Sequence, residues 1–289
     1  MTKKQNKIQY RFLTEDENGK PTHLHQLKVE GEWKNLTGTS SISDVIAKPL
    51  TWWASGKAVE VLGWIKPLDS RKSTALEIVQ NKRERINKAG EILQTFREMA
   101  VEAYLDLLDR AYRAHYDSLK KSATKGTNLH AELERFVKNT MNNIMPTPVY
   151  DEKIMPFITW TNENVEKFLW SEAHCFDEKL FVGGITDAGA KLKDGKTVII
   201  DFKSAKEAYI THFMQCAGYA IQIERNGLWS ADGKHQKKLK GKFDGYVVVP
   251  FGAEKVVPVI SYDINSLKEG FKSAVYLYRL LNMAKINEQ

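Results

Sequence analysis

Two segments, at residues 180–192 and 198–203, predict a pair of strands joined by a tight turn, and this pair limits the possible folds more than any other part of the sequence. In the second segment, Val198, Ile200 and Phe202 alternate with Ile199, Asp201 and Lys203. Successive side chains of a strand point to opposite faces, so Asp201 and Lys203 are predicted to share a face. The chain is therefore expected to contain a β-hairpin that carries a carboxylate and an ammonium group side by side.

The loop between the two strands decides whether Asp187 joins that face. A three-residue loop at 193–195, with its glycine in the left-handed conformation, pairs Leu192 with Lys196. Counting back along both strands then places Asp187 opposite Asp201, with Cβ atoms about 4.5 to 5.5 Å apart. A two-residue Asp-Gly loop would shift the register by one residue and send the carboxylates to opposite faces. We favour the three-residue loop.

Two carboxylates at this spacing need a counter-ion. At about 4 Å and an effective dielectric constant of 20, they would repel each other by roughly 4 kcal/mol. A cation between them would offset that cost, and oxygen ligands at this spacing suit Mg²⁺ or Mn²⁺. An Asp-x-Lys pair by itself is also typical of a solvated hairpin whose charges happen to alternate.

Two further motifs flank the hairpin. A predicted helix reads Gly-Thr-Asn-Leu-His-Ala-Glu-Leu-Glu from Gly126 to Glu134, and the helix after the hairpin carries Gln215 and Tyr219 four residues apart. With these motifs in this order, residues 125–225 resemble the RecB-like branch of the PD-(D/E)XK nuclease superfamily, whose hairpin carries Asp and then Asp/Glu-x-Lys. Within that branch, the chain is similar to the mitochondrial genome maintenance exonuclease type.

The resemblance implies an α/β fold with a PD-(D/E)XK nuclease core, in which a central mixed sheet is flanked by helices. It implies an N-terminal part at residues 1–120, made of strands and a helical region packed on the core. The nuclease core would occupy residues 121–289. The predicted order of helix, hairpin, helix, two strands and helix is typical of an α/β sandwich with the sheet in the middle.

The resemblance also implies the chemistry of the site. The implied catalytic residues are Asp187, Asp201 and Lys203, and a Mg²⁺ or Mn²⁺ ion would be bound by both aspartates, His130 and the backbone carbonyl of Phe202. On the residues alone, His130 borders the apolar stripe of its helix and could instead be a hydrogen-bonding group at the edge of the core.

A second set of residues would contact the substrate or support the metal ligands: Gln215, Tyr219, Glu172 and Ser204. Glu172 matches a position where an acidic residue leads into the first strand of the core. The spacing of Gln215 and Tyr219 is also that of ordinary helix packing. Glu134, one turn after His130, would either orient the imidazole or be a surface charge.

The implied function is a metal-dependent DNA exonuclease that hydrolyses phosphodiester bonds from DNA ends and prefers single strands. The alternatives are an endonuclease of the restriction or junction type, and a catalytically silent nucleic-acid-binding module for recombination. The intact set of Asp187, Asp201 and Lys203 favours an enzyme. Expected partners are DNA with a free end or a single strand, and recombination or replication proteins.

Charge, cysteine content and hydropathy bear on which partners and cofactors this chain could have. A formal net charge of +7 over 289 residues fits a polyanionic partner. The two cysteines, Cys175 and Cys216, cannot supply the four ligands of an iron–sulfur cluster, so none is expected. There is no apolar run of membrane-spanning length and no signal peptide at the start, which predicts a cytoplasmic protein without a membrane partner.

Residues 73–115 are predicted to form a nearly continuous helix, interrupted near Gly90. Its polar face includes Arg83, Arg85 and Lys88. A charged face of this kind is usually only solvated. In the family, however, an N-terminal helical part lies beside the nuclease core, so these three residues are a candidate DNA track.

Overall fold

The structure is a computed structural model that describes residues 8–16, 19–46, 51–144, 149–239, 241–252 and 254–286. The first strands are β1 (Tyr10–Glu15), β2 (Pro21–Val29), β3 (Glu32–Asn35) and β4 (Thr37–Gly38). They are followed by the helices α1 (Thr39–Ser43), α2 (Thr51–Val61), α3 (Ala75–Glu98) and α4 (Val101–Met141), with a short 3₁₀ turn at Asp44–Ile46.

The second half of the chain alternates between helices and strands. After a 3₁₀ turn at Glu152–Ile154 come α5 (Met155–Asn164), β5 (Val165–Asp177), β6 (Val182–Leu192), β7 (Thr197–Lys203) and α6 (Ile210–Asn226). The remaining elements are β8 (Leu228–Trp229), β9 (Gln236–Lys237), β10 (Gly245–Pro250), β11 (Val259–Ser261) and α7 (Ile264–Ile286). The predicted α/β class is confirmed.

A mixed eight-stranded sheet forms the centre of the fold. Its strand order is β11-β10-β7-β6-β5-β8-β9, and β4 pairs with the start of β6. Strands β7 and β10 run parallel, whereas β5, β6 and β7 are antiparallel neighbours. Ile199 belongs to an apolar cluster with residues of α6 and α7, while Ile200 belongs to another with residues of α4 and α5. Helices therefore flank both faces of the sheet.

The hairpin of β6 and β7 has the predicted three-residue loop. The Leu192 N–H donates to the Lys196 carbonyl at 2.8 Å, and Gly195 has a φ of 88°. The ladder pairs Ala188 with Ile200. The next pair in this register is Asp187 and Asp201, so the predicted opposition of the two aspartates is confirmed.

The described residues divide into two compact units. One contains residues 8–46 together with those from 126 onward, and the other lies within residues 48–125. The predicted boundary at residue 120 falls inside α4, which continues without a break to Met141.

The first strands pack with the central sheet. Tyr10 of β1 lies in one buried cluster with Phe176 of β5. The Thr39 hydroxyl donates to the Gly183 carbonyl of β6 at 3.1 Å. These contacts join residues that are far apart in the sequence, which is why composition along the chain did not reveal them.

The long helical segment is interrupted at a different place from the predicted one. Gly90 lies inside α3, and the break comes at Met99, where the backbone is extended with a ψ of 133°. Glycine lowers helix stability by about 1 kcal/mol relative to alanine, which a long helix tolerates. None of the described helices combines the length and the apolar character needed to cross a membrane.

Candidate active site

The two aspartates of the hairpin lie beside a single lysine. Asp201 is only 1% exposed, and the side chain of Asp187 is 16% exposed. The Phe202 N–H donates to Asp187 Oδ2 at 2.7 Å. Lys203 Nζ donates to Asp201 Oδ1 at 3.0 Å and lies 2.9 Å from Oδ2. When all are ionised, the two carboxylates and the ammonium group carry one excess negative charge.

Burial raises the pKa of both aspartates above the usual carboxyl range. Lys203 opposes this shift at each of them, and the neighbouring Asp187 raises the pKa of Asp201 further. Burial alone would lower the pKa of Lys203, but the two carboxylates outweigh it and raise that pKa. One lysine therefore leaves the pair undercompensated, and the space between the carboxylates favours a further cation.

His130 reaches the same place from α4. Its Nε2 lies 3.7 Å from Asp187 Oδ1, and its ring meets Phe202 edge-on with centroids 5.6 Å apart. On the same helix Leu133 and Val137 are fully buried, so His130 borders the buried face as predicted. Burial lowers the pKa of His130 more than the nearby carboxylates raise it. The imidazole is therefore neutral at pH 7 and has a lone pair available for a metal ion.

A second group of charges lies beside this site. Lys138 forms ion pairs with Glu134, one turn earlier in α4, and with Glu172 of β5 at 3.0 Å. Burial and the proximity of Glu172 raise the pKa of Glu134. Glu134 thus takes part in this bridge between α4 and β5, and among the nearby carboxylates it also raises the pKa of His130 the most.

Glu172 lies within β5, not ahead of the first strand as predicted. The pairs on either side of it place it opposite Asp187. Its φ is 44°, in the left-handed region. That conformation costs a non-glycine residue about 1–2 kcal/mol. Such strain is often retained where it directs a functional side chain, so the position of Glu172 fits a role at the site.

Helix α6 packs over the carboxylates. Gln215 Nε2 donates to the Tyr219 hydroxyl at 2.7 Å, and both side chains are buried. Burial raises the pKa of Tyr219, and Asp201 and Asp187 raise it further. Ser204, by contrast, is exposed immediately after β7.

The predicted DNA track lies on α3, apart in the sequence from the residues described above. Arg83 and Lys88 are exposed on α3 and Arg85 is half-buried, while Lys88 pairs with Glu91 at 3.0 Å. The side chains of residues 126 and 127 lie outside the described part of the molecule. Both cysteines are free and buried.

Lys138 was not predicted to lie at the site. It follows His130 by eight residues, which is about two helical turns, so both side chains project from one side of α4. That spacing was the signal available in the sequence. Lys138 carries a charge that holds two carboxylates, and the structure therefore adds it to the candidate site.

The residues around Asp201 fit a divalent metal ion by their chemistry. Among the side chains that the structure describes, no three from His, Cys, Asp and Glu form a ready-made metal-binding group. Asp201 Oδ2 is nevertheless buried without a hydrogen bond of acceptable geometry, although Lys203 lies close to it. Two carboxylates and a neutral imidazole are suitable donors for Mn²⁺ and Mg²⁺. A metal ion would give this oxygen a second cationic partner besides Lys203.

No protein-family model and no curated protein sequence matches this chain. The function of the protein is therefore inferred from the chemistry and the arrangement of His130, Asp187, Asp201 and Lys203.

Proposed function

We propose that this protein is a metal-dependent DNA nuclease of the RecB-like PD-(D/E)XK type, and that it degrades DNA from its ends and prefers single strands. The observation that supports this most is the pair of Asp187 and Asp201, opposed on a hairpin with Lys203 as their shared counter-ion. An uncompensated buried charge is costly, so such pairs are concentrated at sites that bind a cation or perform chemistry.

His130, Asp187, Asp201 and the backbone carbonyl of Phe202 would hold Mg²⁺ or Mn²⁺. When bound, the ion supplies charge stabilisation at the scissile phosphate and lowers the pKa of a bound water. The hydrogen bond from the Phe202 N–H orients the Asp187 carboxylate in advance. One of the proposed ligands is thus oriented before a metal ion binds.

Lys203 has the most direct role among the protein's own groups. Its ammonium group is held by Asp201 at 3.0 Å and keeps its proton because the two carboxylates raise its pKa. A protonated amine in this position orients the attacking water and donates to a phosphate oxygen. It therefore stabilises the negative charge that develops on the phosphate during cleavage.

The proposed function is tested with matched linear and covalently closed circular single-stranded DNA. With Mg²⁺ or Mn²⁺, we expect end-labelled linear DNA to be degraded to short products, while the circle survives because it has no end. Excess EDTA should stop degradation, since the ion is the source of charge stabilisation. Cleavage in EDTA contradicts the metal site, linearisation of the circle at a comparable rate indicates an endonuclease, and binding without any cleavage indicates a silent module.

We expect Arg83, Arg85 and Lys88 of α3 to contact phosphates. Changing all three to glutamate should weaken DNA binding regardless of base sequence, because phosphate contacts carry no sequence information. The logarithm of the binding constant falls linearly with the logarithm of the salt concentration. On single strands each phosphate contact contributes about 0.7 to the steepness of this line, so losing three contacts should reduce the slope by about 2. The measurement is the Kd by fluorescence anisotropy in EDTA over a series of salt concentrations.

The matched control changes three exposed lysines elsewhere to glutamate, namely Lys20, Lys34 and Lys179. It alters the net charge by the same amount and should leave the slope nearly unchanged. If the α3 variant also keeps the slope of the wild type, the basic face of α3 is simply solvated.

A further inference from the structure

A basic cavity lies at the end of the β6–β7 hairpin that is opposite to the two aspartates. It has a volume of about 270 Å³, and its lining includes Lys167, Lys191, Lys242, Leu169, Leu239 and Phe243. The lining residues come from β5, β6, the first residue of β7 and the segment that leads into β10. The proposed nuclease site uses none of them.

Two of these lysines are available to a ligand. Both Lys167 and Lys242 are exposed, and neither forms an ion pair or a side-chain hydrogen bond within the described part of the chain. Lys191 is paired with Glu166 at 3.3 Å. Asp244 accepts a hydrogen bond from the first backbone N–H of β7 at 2.8 Å. Glu224, which accepts from the Phe243 N–H at 3.3 Å, is paired with Lys268. The unpaired charge at the cavity is therefore positive and suits an anion.

The segment beside the cavity is rich in lysine. Five of the nine residues 234–242 are lysines and none is acidic. Basic runs of this length are typical of nucleic-acid-binding patches. Lys237 Nζ donates to the Leu169 carbonyl at 3.0 Å, which ties this segment to β5 at the cavity.

The floor of the cavity is apolar. Leu169 and Leu239 are half-buried and pack on the main apolar cluster of the sheet. Phe243 belongs to that cluster and meets Trp170 edge-on, with ring centroids 6.0 Å apart. A simple inorganic anion gains little from an apolar floor, whereas a nucleotide has both a phosphate for the lysines and a flat base for the leucines.

The cavity is separate from the aspartate pair. It lies four residues from them along each strand of the hairpin, a distance of about 13 Å. Trp170 covers the sheet in between, since its ring lies 1.9 Å from where a Cβ at Gly189 would be. Ile199, also between the two places, is completely buried. A DNA strand therefore cannot run along the sheet from one place to the other.

We propose that this cavity binds one nucleotide of a single DNA strand outside the catalytic site. Lys167 and Lys242 contact its phosphates, and the base lies against Leu239. The inference rests on the proposed function in taking DNA as the ligand, but it requires no cleavage. A second contact of this kind keeps the strand attached while its end is released from the catalytic site.

The test compares two charge-reversal variants in excess EDTA, where binding is measured without cleavage. One is Lys167→Glu with Lys242→Glu, and the control is Lys20→Glu with Lys34→Glu, which changes the net charge equally. The probe is a fluorescent oligothymidylate. Loss of two phosphate contacts should weaken binding about tenfold or more and reduce the salt slope by about 1.4. The control should keep the slope of the wild type.

Leu239→Ala isolates the contact with the base. It should weaken binding of oligothymidylate but leave the binding of an abasic oligonucleotide of the same length unchanged. Free dTMP, titrated into each variant, distinguishes binding of a strand from binding of a free nucleotide. If changing Lys167 and Lys242 weakens binding of dTMP but not of the oligonucleotide, the proposal is overturned.

Melting curves of each variant establish that it is folded. Equal weakening by both double variants, or an unchanged slope in the cavity variant, also overturns the proposal. Cleavage by wild-type protein is measured separately, so that failure of the nuclease hypothesis and failure of the cavity hypothesis are distinct results.

Discussion

Replacing Asp201 with asparagine is expected to lower the rate of DNA cleavage by at least about 10³-fold, while binding of DNA in EDTA remains close to that of the wild type. The substitution keeps the size of the side chain but removes the charge that holds Lys203 at 3.0 Å and that would bind the metal ion. The measurement is single-turnover cleavage of end-labelled linear DNA, with binding measured in parallel by anisotropy.

Asp194→Asn is the matched control, because Asp194 lies in the loop of the same hairpin and is exposed. It should cleave within about twofold of the wild type, as is usual for surface substitutions away from a site. Cleavage by Asp201→Asn at the rate of the wild type would remove the aspartate pair from the mechanism.

Asp201→Asn should also stabilise the metal-free protein at neutral pH, which is a result independent of activity. Burial raises the pKa of Asp201 and Asp187 in the folded state. The folded state then binds protons more tightly than the unfolded state does, and the ionised pair reduces stability at neutral pH. As the pH falls through the raised pKa values, the wild type becomes protonated, and its difference in melting temperature from Asp201→Asn should shrink. An unchanged difference would contradict the assigned electrostatics.

Replacing His130 with alanine should raise the Mn²⁺ concentration needed for half-maximal cleavage by about 10–100-fold, with much of the maximal rate retained. The imidazole lies 3.7 Å from Asp187 Oδ1 and is kept neutral by burial. Its loss removes one ligand, but both carboxylates remain. The measurement is a Mn²⁺ titration of the cleavage rate.

A second readout of the same variant does not depend on catalysis. A ligand that binds only the folded state raises the melting temperature in proportion to the logarithm of its concentration over its Kd. The rise caused by Mn²⁺ should therefore require more Mn²⁺ in His130→Ala than in His23→Ala, which changes an exposed histidine. If both titrations match the wild type, His130 is a hydrogen-bonding group at the edge of the core and not a metal ligand.

The hairpin was predictable from the sequence because it depends on neighbouring residues. The alternation around Asp201 and the glycine at position 195 are local features, and together they determine the register that opposes Asp187 and Asp201. The apolar stripe beside His130 is likewise a local pattern with helical spacing. The confirmed parts of the candidate site are those that need no knowledge of distant contacts.

The environment of Glu172, by contrast, could not be predicted from its neighbours in the sequence. Its motif predicted an acidic residue ahead of a strand, whereas the residue lies inside β5 with a φ of 44°. That irregularity arises where β5 pairs with β6 and where Lys138 of α4 contacts the carboxylate. Neither contact is encoded in the residues next to Glu172, so the spacing alone could not show it.

The α/β class, the hairpin and the opposition of its two aspartates could be predicted from the residues alone, because period-2 alternation and turn conformation are properties of adjacent residues. Three features became visible only in the folded chain: residues 8–46 group with the sheet, Asp201 is 1% exposed, and Lys138 joins α4 to β5. Burial, pKa and ion pairing depend on residues that folding brings together from distant parts of the chain. For that reason, the charge balance of the candidate site could not be predicted without the folded structure.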